Sequence, residues 1–152
     1  MTFRTRAARM AVTTSALAAA TMLFGTQAAV AATNDSFAVG TTNGGCGTVN
    51  FVDYGEGAPG GGNNDDYLVI HDYCSDGRGV RAYAWLTFGG ETHYLGARNN
   101  TNGLAGDAVV WDPFADWGNV EAGDLVGLKV CLFDSNNTLS RCAEKSQLSV
   151  DG

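Results

Sequence analysis

The chain has 152 residues, with nine Lys and Arg side chains, sixteen Asp and Glu side chains and a formal net charge of −7 at pH 7. An acidic surface repels phosphate backbones and anionic headgroups, which excludes nucleic acid as a partner and disfavours anionic membranes. The same charge favours solubility, cations and basic partners.

The N-terminal segment has the three parts of a secretory signal peptide. Residues 1–9 contain three arginines and no acid, residues 10–24 are apolar and rich in Ala, and residues 29–32 are small. The apolar stretch is shorter than the ~20 residues that a bilayer requires and contains Thr and Ser, which argues against a membrane anchor. We therefore expect residues 1–32 to be a signal peptide that is removed on export.

Cleavage after Ala31 and cleavage after Ala32 fit this pattern equally well. Residues 33–152 then form the mature chain, whose net charge changes from −7 to −10 because the leader carries three arginines. Its length suits one domain with one core. It contains no segment that we expect to span a membrane, so the sequence predicts a secreted, extracellular protein.

The four cysteines all lie in the mature chain, at Cys46, Cys74, Cys131 and Cys142. An even number of cysteines in an exported chain predicts two disulfides. Three pairings exist in principle, and we favour Cys46–Cys74 and Cys131–Cys142 because each pair flanks a turn region. Neither a Cys-x-x-Cys motif nor a His spacing suited to zinc is present.

The mature chain is a succession of short apolar runs separated by turn residues. Alternation of apolar and polar side chains, which is typical of a half-buried strand, is clearest at residues 80–88. Aliphatic side chains form one row of this strand, and Tyr83 and Trp85 belong to the other. In chain order, strands are predicted at 37–39, 46–52, 67–74, 80–88, 91–96, 108–111, 125–133 and 138–143, with a last strand ending at 148–150.

Gly- and Asn-rich segments separate these strands. Residues 55–66 contain five glycines and one proline, which predicts an exposed mobile loop, and residues 99–103 predict another turn. Sustained helical periodicity is absent from the sequence. Strands that recur about every ten residues between turns indicate an all-β protein, an antiparallel β-sandwich of Ig-like or jelly-roll-like type with two disulfides.

Three short motifs resemble small secreted β-sandwich proteins of actinobacteria, which mostly have no assigned function. They are the hairpin from Leu128 to Cys142, the segment Asp72-Tyr-Cys-Ser-Asp-Gly77, and the earlier Phe51-Val-Asp-Tyr-Gly55. The resemblance implies a sandwich fold and export. It implies no catalytic residues.

The sequence offers little for catalysis. His71 and His93 are the two histidines, and adjacent residues on a strand point to opposite faces, so Asp72 is badly placed to orient His71. A Gly-x-Ser-x-Gly nucleophile elbow is missing. Neighbouring carboxylates are expected by chance in so acidic a chain. We therefore expect a protein that is not an enzyme.

A structural calcium ion is a weaker hypothesis. Residues 72–77 resemble the opening of a calcium loop, in which alternate oxygens surround a hard cation, but a Cys stands third and a Tyr stands twelfth, which excludes an EF-hand. The carboxylates considered for such an ion are Asp65, Asp66, Asp72 and Asp76. We expect no other cofactor.

Aromatic residues are numerous for a small domain, and four of them are candidates for ligand binding: Tyr83, Trp85, Trp111 and Trp117. Exposed rings on a sandwich face stack on sugar rings or hold apolar ligands. If the aliphatic row of residues 80–88 faces the core, Tyr83 and Trp85 face outward. The alternative is that they belong to a second buried face.

These features predict a secreted, non-enzymatic protein that binds a still unidentified extracellular ligand or cell-surface component. One alternative is a carrier of a small apolar molecule, similar in size, charge and cysteine number to the chromophore-binding apoproteins of actinobacteria, whose cysteine spacing differs. A secreted inhibitor and a small hydrolase are further alternatives. A flat aromatic strip would favour carbohydrate or surface binding, whereas a deep apolar cleft beside Tyr83 and Trp85 would favour a carrier.

Overall fold

The computed structural model describes residues 34–53 and 66–150. The predicted signal peptide and residues 55–65 of the predicted Gly-rich loop lie outside these ranges. Across the described residues the chain forms strands and turns, and no helix there is long and apolar enough to cross a membrane. The strands are β1 Phe37–Gly40, β2 Gly47–Val52, β3 Tyr67–Asp72, β4 Gly79–Phe88, β5 Glu91–Asn100, β6 Val109–Trp111, β7 Leu125–Phe133 and β8 Leu139–Leu148.

The strands form two antiparallel sheets of four, in the orders β1-β2-β3-β6 and β5-β4-β7-β8. The chain changes sheet between β3 and β4, between β5 and β6, and between β6 and β7. The order can be compared with the lettered strands of an immunoglobulin domain. In the first sheet, strands A, B and E correspond to β2, β3 and β6. In the second sheet, strands C′, C, F and G then correspond to β5, β4, β7 and β8. The predicted β-sandwich is therefore confirmed, and seven of its strands follow an Ig-like order, with β1 as an additional edge strand beside β2.

Alternation along the strands explains where the core lies. Val80, Ala82, Ala84 and Leu86 are at most 2% exposed, and the alternate residues of β4 are only half-buried. The inward rows of both sheets meet between the layers, where β2 and β3 contribute matching apolar side chains. Other core side chains are Phe37, Val39, Val49, Phe51, Leu68, Ile70, Phe114, Val120, Val126, Leu128, Val130 and Leu132.

The turn predicted at residues 99–103 begins later than expected, because β5 continues through Asn100. The Asn100 side chain is 1% exposed and its amide nitrogen donates to the backbone oxygen of Ile70, at 2.8 Å, in the other sheet. Its side-chain oxygen accepts from the backbone N–H of Asn102 at 2.8 Å. An Asn that usually marks a turn therefore satisfies buried polar groups between the two sheets.

Both predicted disulfides are confirmed. Cys46–Cys74 joins the residue before β2 to the segment after β3, and Cys131–Cys142 links β7 to β8. The sequence separations are 28 and 11 residues. A cross-link that closes a longer loop restricts the unfolded chain more, so the first disulfide should contribute more to stability.

We predict that the two disulfides differ measurably in their contribution to the free energy of unfolding. Replacing both Cys46 and Cys74 by Ala should cost about 3.5 kcal/mol, and replacing both Cys131 and Cys142 about 3 kcal/mol, from the loop lengths alone. Urea unfolding of each double variant, with the intact protein as control, measures both values. A larger loss from the Cys131–Cys142 pair would contradict the loop-length argument.

Candidate ligand-binding surfaces

Three aromatic side chains form what we call the aromatic strip, on the outer face of the sheet β5-β4-β7-β8: Tyr83, Trp85 and Tyr94. The ring centroids of Tyr83 and Trp85 are 6.2 Å apart and their planes differ by 16°. Those of Trp85 and Tyr94 are 5.5 Å apart, with planes at 42°. Tyr94 is 56% exposed, and the strip is therefore open to solvent along the sheet.

The strip follows from the geometry of one hairpin. Residues two apart on a strand share a face, so Tyr83 and Trp85 point outward because the alternate residues of β4 fill the core. Gly89 and Gly90 both have positive φ, as a two-residue primed turn requires, and the resulting register places Tyr94 opposite Trp85. Tyr94 was not among the residues that we predicted to bind a ligand.

Small and polar side chains surround the strip. Gly127 lies opposite Trp85 on β7, and a Cβ atom placed there would come within 3.6 Å of the Trp85 Cβ, so the absent side chain leaves space beside the indole. Next to Tyr83, Lys129 and Glu144 form an ion pair of 2.7 Å. The hydrogen bond from Lys129 to Glu144 raises the pKa of Lys129, which keeps the ammonium group charged.

An open depression of ≈ 520 Å³ continues the strip beyond Tyr83. Arg81 forms one wall, and its Nε donates to the Oδ1 of Asn99 at 2.7 Å while its Nη2 donates to the Oδ1 of Asn137 at 3.0 Å. The guanidinium also lies over the Phe133 ring at 4.6 Å. The depression is thus bordered by a fixed cation and by amide groups.

A second aromatic group, here called the end cluster, lies where the β4–β5 hairpin meets the loop before β7: Phe88, His93 and Trp117. The His93 ring centroid is 4.6 Å from both Phe88 and Trp117. Phe88 and Trp117 are 5.8 Å apart and nearly perpendicular, at 64°. Trp117 is 46% exposed and belongs to this cluster, apart from the strip.

Trp111 occupies a third position. It lies on β6 opposite Leu68, on the inward face, and packs against the edge of the core. A Cβ placed on Gly96 would lie 3.7 Å from its ring, so the indole spans the gap between the two sheets. The four predicted aromatic residues therefore lie at three places, and the structure brings only Tyr83 and Trp85 together.

Two of the carboxylates considered for calcium, Asp66 and Asp72, lie far apart. Asp66 and Asp72 lie six residues apart at opposite ends of β3, about 20 Å at the rise of a strand. Asp66 Oδ2 accepts from the N–H of Val120 at 2.7 Å, and the Asp76 carboxylate pairs with Arg78. Asp65 lies outside the described residues.

One metal-like grouping is present near Asp76, because its carboxylate and the sulfur atoms of Cys46 and Cys74 lie within 4.8 Å of one another. Both sulfur atoms belong to a disulfide, so neither is a thiolate that would bind a metal strongly. Disulfide formation explains the proximity of the two sulfur atoms without a metal.

The two histidines differ in surroundings. His71 stacks on Tyr73 at 5.2 Å on the outer face of its sheet, and Asp72 points to the opposite, inner face. His93 packs within the end cluster. The separation of His71 from Asp72, expected from strand alternation, is therefore observed.

Asp72 is a buried carboxylate, 6% exposed, at the end of the core. Its Oδ1 accepts from the N–H of Cys74 at 3.2 Å, and its Oδ2 has no hydrogen-bond partner in the described part of the chain. Burial is the main cause that raises the pKa of Asp72, and the charge of Asp76 adds to it, while the backbone N–H groups of Cys74 and Gly103 oppose it. Asp72 therefore stabilises the folded chain best when it is protonated.

Comparison of the chain with models of protein families, with curated proteins and with solved structures found no match. The resemblance to secreted actinobacterial proteins consequently stays a prediction.

We predict that Asp72→Asn stabilises the protein at pH 7 by about 1 kcal/mol, because a neutral amide is less costly to bury than a carboxylate. An acid whose pKa is raised in the folded state destabilises that state as the pH rises above its ordinary value, 3.8. The advantage of the variant should therefore disappear as the pH falls to 3.8. Thermal unfolding between pH 3 and pH 8, roughly the range of carboxyl titration, measures it.

Asp134→Asn is the control, because we expect it to change the stability at pH 7 in the opposite direction. Hydrogen bonds from Thr138 and Asn136 lower the pKa of Asp134, so its ionised form stabilises the β7–β8 turn, and that stabilisation is lost as the pH falls through the lowered pKa. This variant should be less stable than the parent protein at pH 7. A loss of stability in Asp72→Asn that is equal at every pH would contradict our account of Asp72.

Proposed function

We propose that the protein is secreted and binds an extracellular or cell-surface polysaccharide, without converting it, through the aromatic strip. The observation that carries the proposal is the alignment of Tyr83, Trp85 and Tyr94 on one outward sheet face, with neighbouring centroids 6.2 and 5.5 Å apart. The leader-like N-terminus and the two disulfides support export.

An aromatic strip suits a sugar chain for a physical reason. The face of an aromatic ring is electron-rich, and the C–H bonds on one face of a pyranose ring carry a small positive charge, so the two surfaces attract while apolar area is buried. Successive rings along a flat face can contact successive sugar units. Lys129, Glu144 and Arg81 at the margin supply donors and acceptors for sugar hydroxyl groups.

The strip favours polysaccharide binding over the carrier alternative. A carrier needs an enclosed, mostly apolar cavity that surrounds its ligand. The depression beside Tyr83 is open, and three of the five described residues that line it are Arg81, Arg98 and Asn99. Polar side chains in an open surface match the hydroxyl groups of a sugar better than an apolar small molecule.

We predict that Trp85→Ala weakens binding to the preferred polysaccharide at least about tenfold, because it removes the central ring of the strip. Depletion assays with insoluble chitin, cellulose and peptidoglycan measure the affinity of the mature, disulfide-bonded protein. Tyr73→Ala is the matched control, since Tyr73 is an exposed ring, 47% accessible, on the other sheet. Failure to bind any of the three polymers, or equal losses in both variants, would overturn the proposal.

Gly127→Val tests the same surface by obstruction. Valine suits a strand, and the one tight contact of a Cβ atom at Gly127 is 3.3 Å to the Ser146 hydroxyl. Ser146 is exposed and its side chain can rotate away, so the fold should tolerate the change. The new side chain should fill the space beside the indole and weaken polysaccharide binding about fivefold. Unchanged binding, with unfolding temperature preserved, would show that the ligand does not occupy the space over β7.

A further inference from the structure

A separate pocket of ≈ 350 Å³ lies at the end of the sandwich, beside the end cluster. Its lining includes the apolar side chains of Leu86, Phe88 and Trp117 and the two acidic residues Glu121 and Asp124. The size is that of a small-molecule site. The pocket combines aromatic faces with carboxylates, and no Lys or Arg is among the described residues that line it. Such a surface attracts positive charge.

The loop that carries Trp117 is held at both of its ends. Phe114 is 1% exposed and packs edge-on against Phe51 at 5.6 Å, and its carbonyl accepts from the N–H of Trp117 at 2.7 Å. Val120 is 2% exposed, and its N–H donates to the buried carboxylate of Asp66 at 2.7 Å. Trp117 therefore projects from a short segment between two anchors, so little ordering is needed when a ligand binds.

The Asp124 carboxylate and the backbone of Glu121 are also held in place. The N–H of Glu121 donates to the Asp124 Oδ2 at 3.0 Å, and the N–H of Asp124 donates to the Glu121 carbonyl at 2.9 Å. Backbone hydrogen bonds between residues 123–124 and Ser149 tie this turn to the end of the chain. The Glu121 side chain is exposed, so its charge faces solvent at the mouth of the pocket.

We infer that this pocket binds a small organic cation, an alkylammonium or quaternary ammonium group. Such a group is attracted by aromatic faces and by carboxylates at once, and its methyl or methylene groups bury apolar area against Phe88 and Trp117. Neither an anion nor an uncharged sugar would use both the aromatic rings and the carboxylates. The inference is independent of polysaccharide binding, because the aromatic strip lies on a different surface.

Choline and its uncharged isostere 3,3-dimethyl-1-butanol are the probes, titrated into the mature, disulfide-bonded protein and followed by the indole N–H signals in proton–nitrogen spectra. Choline should bind with a dissociation constant of about 1 mM, normal for a ligand of so few atoms, and should shift the Trp117 signal. The isostere should bind at least about tenfold more weakly, because it lacks the charge.

Variants identify the site. Trp117→Ala should weaken choline binding about tenfold and Glu121→Gln about threefold, with the effect of Glu121→Gln reduced in high salt. Tyr73→Ala is the control, since its ring is 47% exposed and lies away from the pocket. Both changed side chains are exposed, so folding should persist, and the unfolding temperature verifies this. Equal binding of the isostere, unchanged affinity in Trp117→Ala, or no saturation by about 100 mM choline would overturn the inference.

Discussion

The alternation of side chains along β4 is the constraint on which the core, the aromatic strip and the end cluster depend. Its inward residues, from Val80 to Leu86, are almost completely buried between the sheets, and β4 has partners on both sides. A slip of one residue would expose that row and bury Tyr83 and Trp85 in its place, with a large loss of burial energy. Core packing therefore determines which aromatic rings face outward, and the strip needs no separate stabilisation.

The same strand determines the end cluster. Phe88 continues the inward row of β4 past the region covered by the other sheet, and His93, opposite Leu86, lies on the same face. Inward-facing rings without a covering strand would meet water, and Trp117 from the preceding loop of β7 covers them in part. The pocket is thus a place where the sandwich core is incomplete and a loop side chain closes it from one side.

Much of this architecture could be predicted from the sequence, because strand alternation and turn residues are local signals. They identified the sandwich, the pairing of all four cysteines and the common face of Tyr83 and Trp85. The position of Tyr94 could also be predicted, because a two-residue Gly89–Gly90 turn places it opposite Trp85. The register changes at the bulge next to Gly96. Counting residues from the turn therefore gives the wrong cross-strand partners farther along β5.

The end pocket could not be predicted in this way, because its geometry depends on contacts between residues far apart in sequence. The position of Trp117 follows from the hydrogen bond between Val120 and Asp66, 54 residues away, and from packing of Phe114 on Phe51. Composition shows only an aromatic residue in an acidic, irregular segment. Since loops are stabilised by the scaffold beneath them, a binding site that a loop completes becomes visible only when that scaffold is known, whereas a site on one strand is visible in the alternation itself.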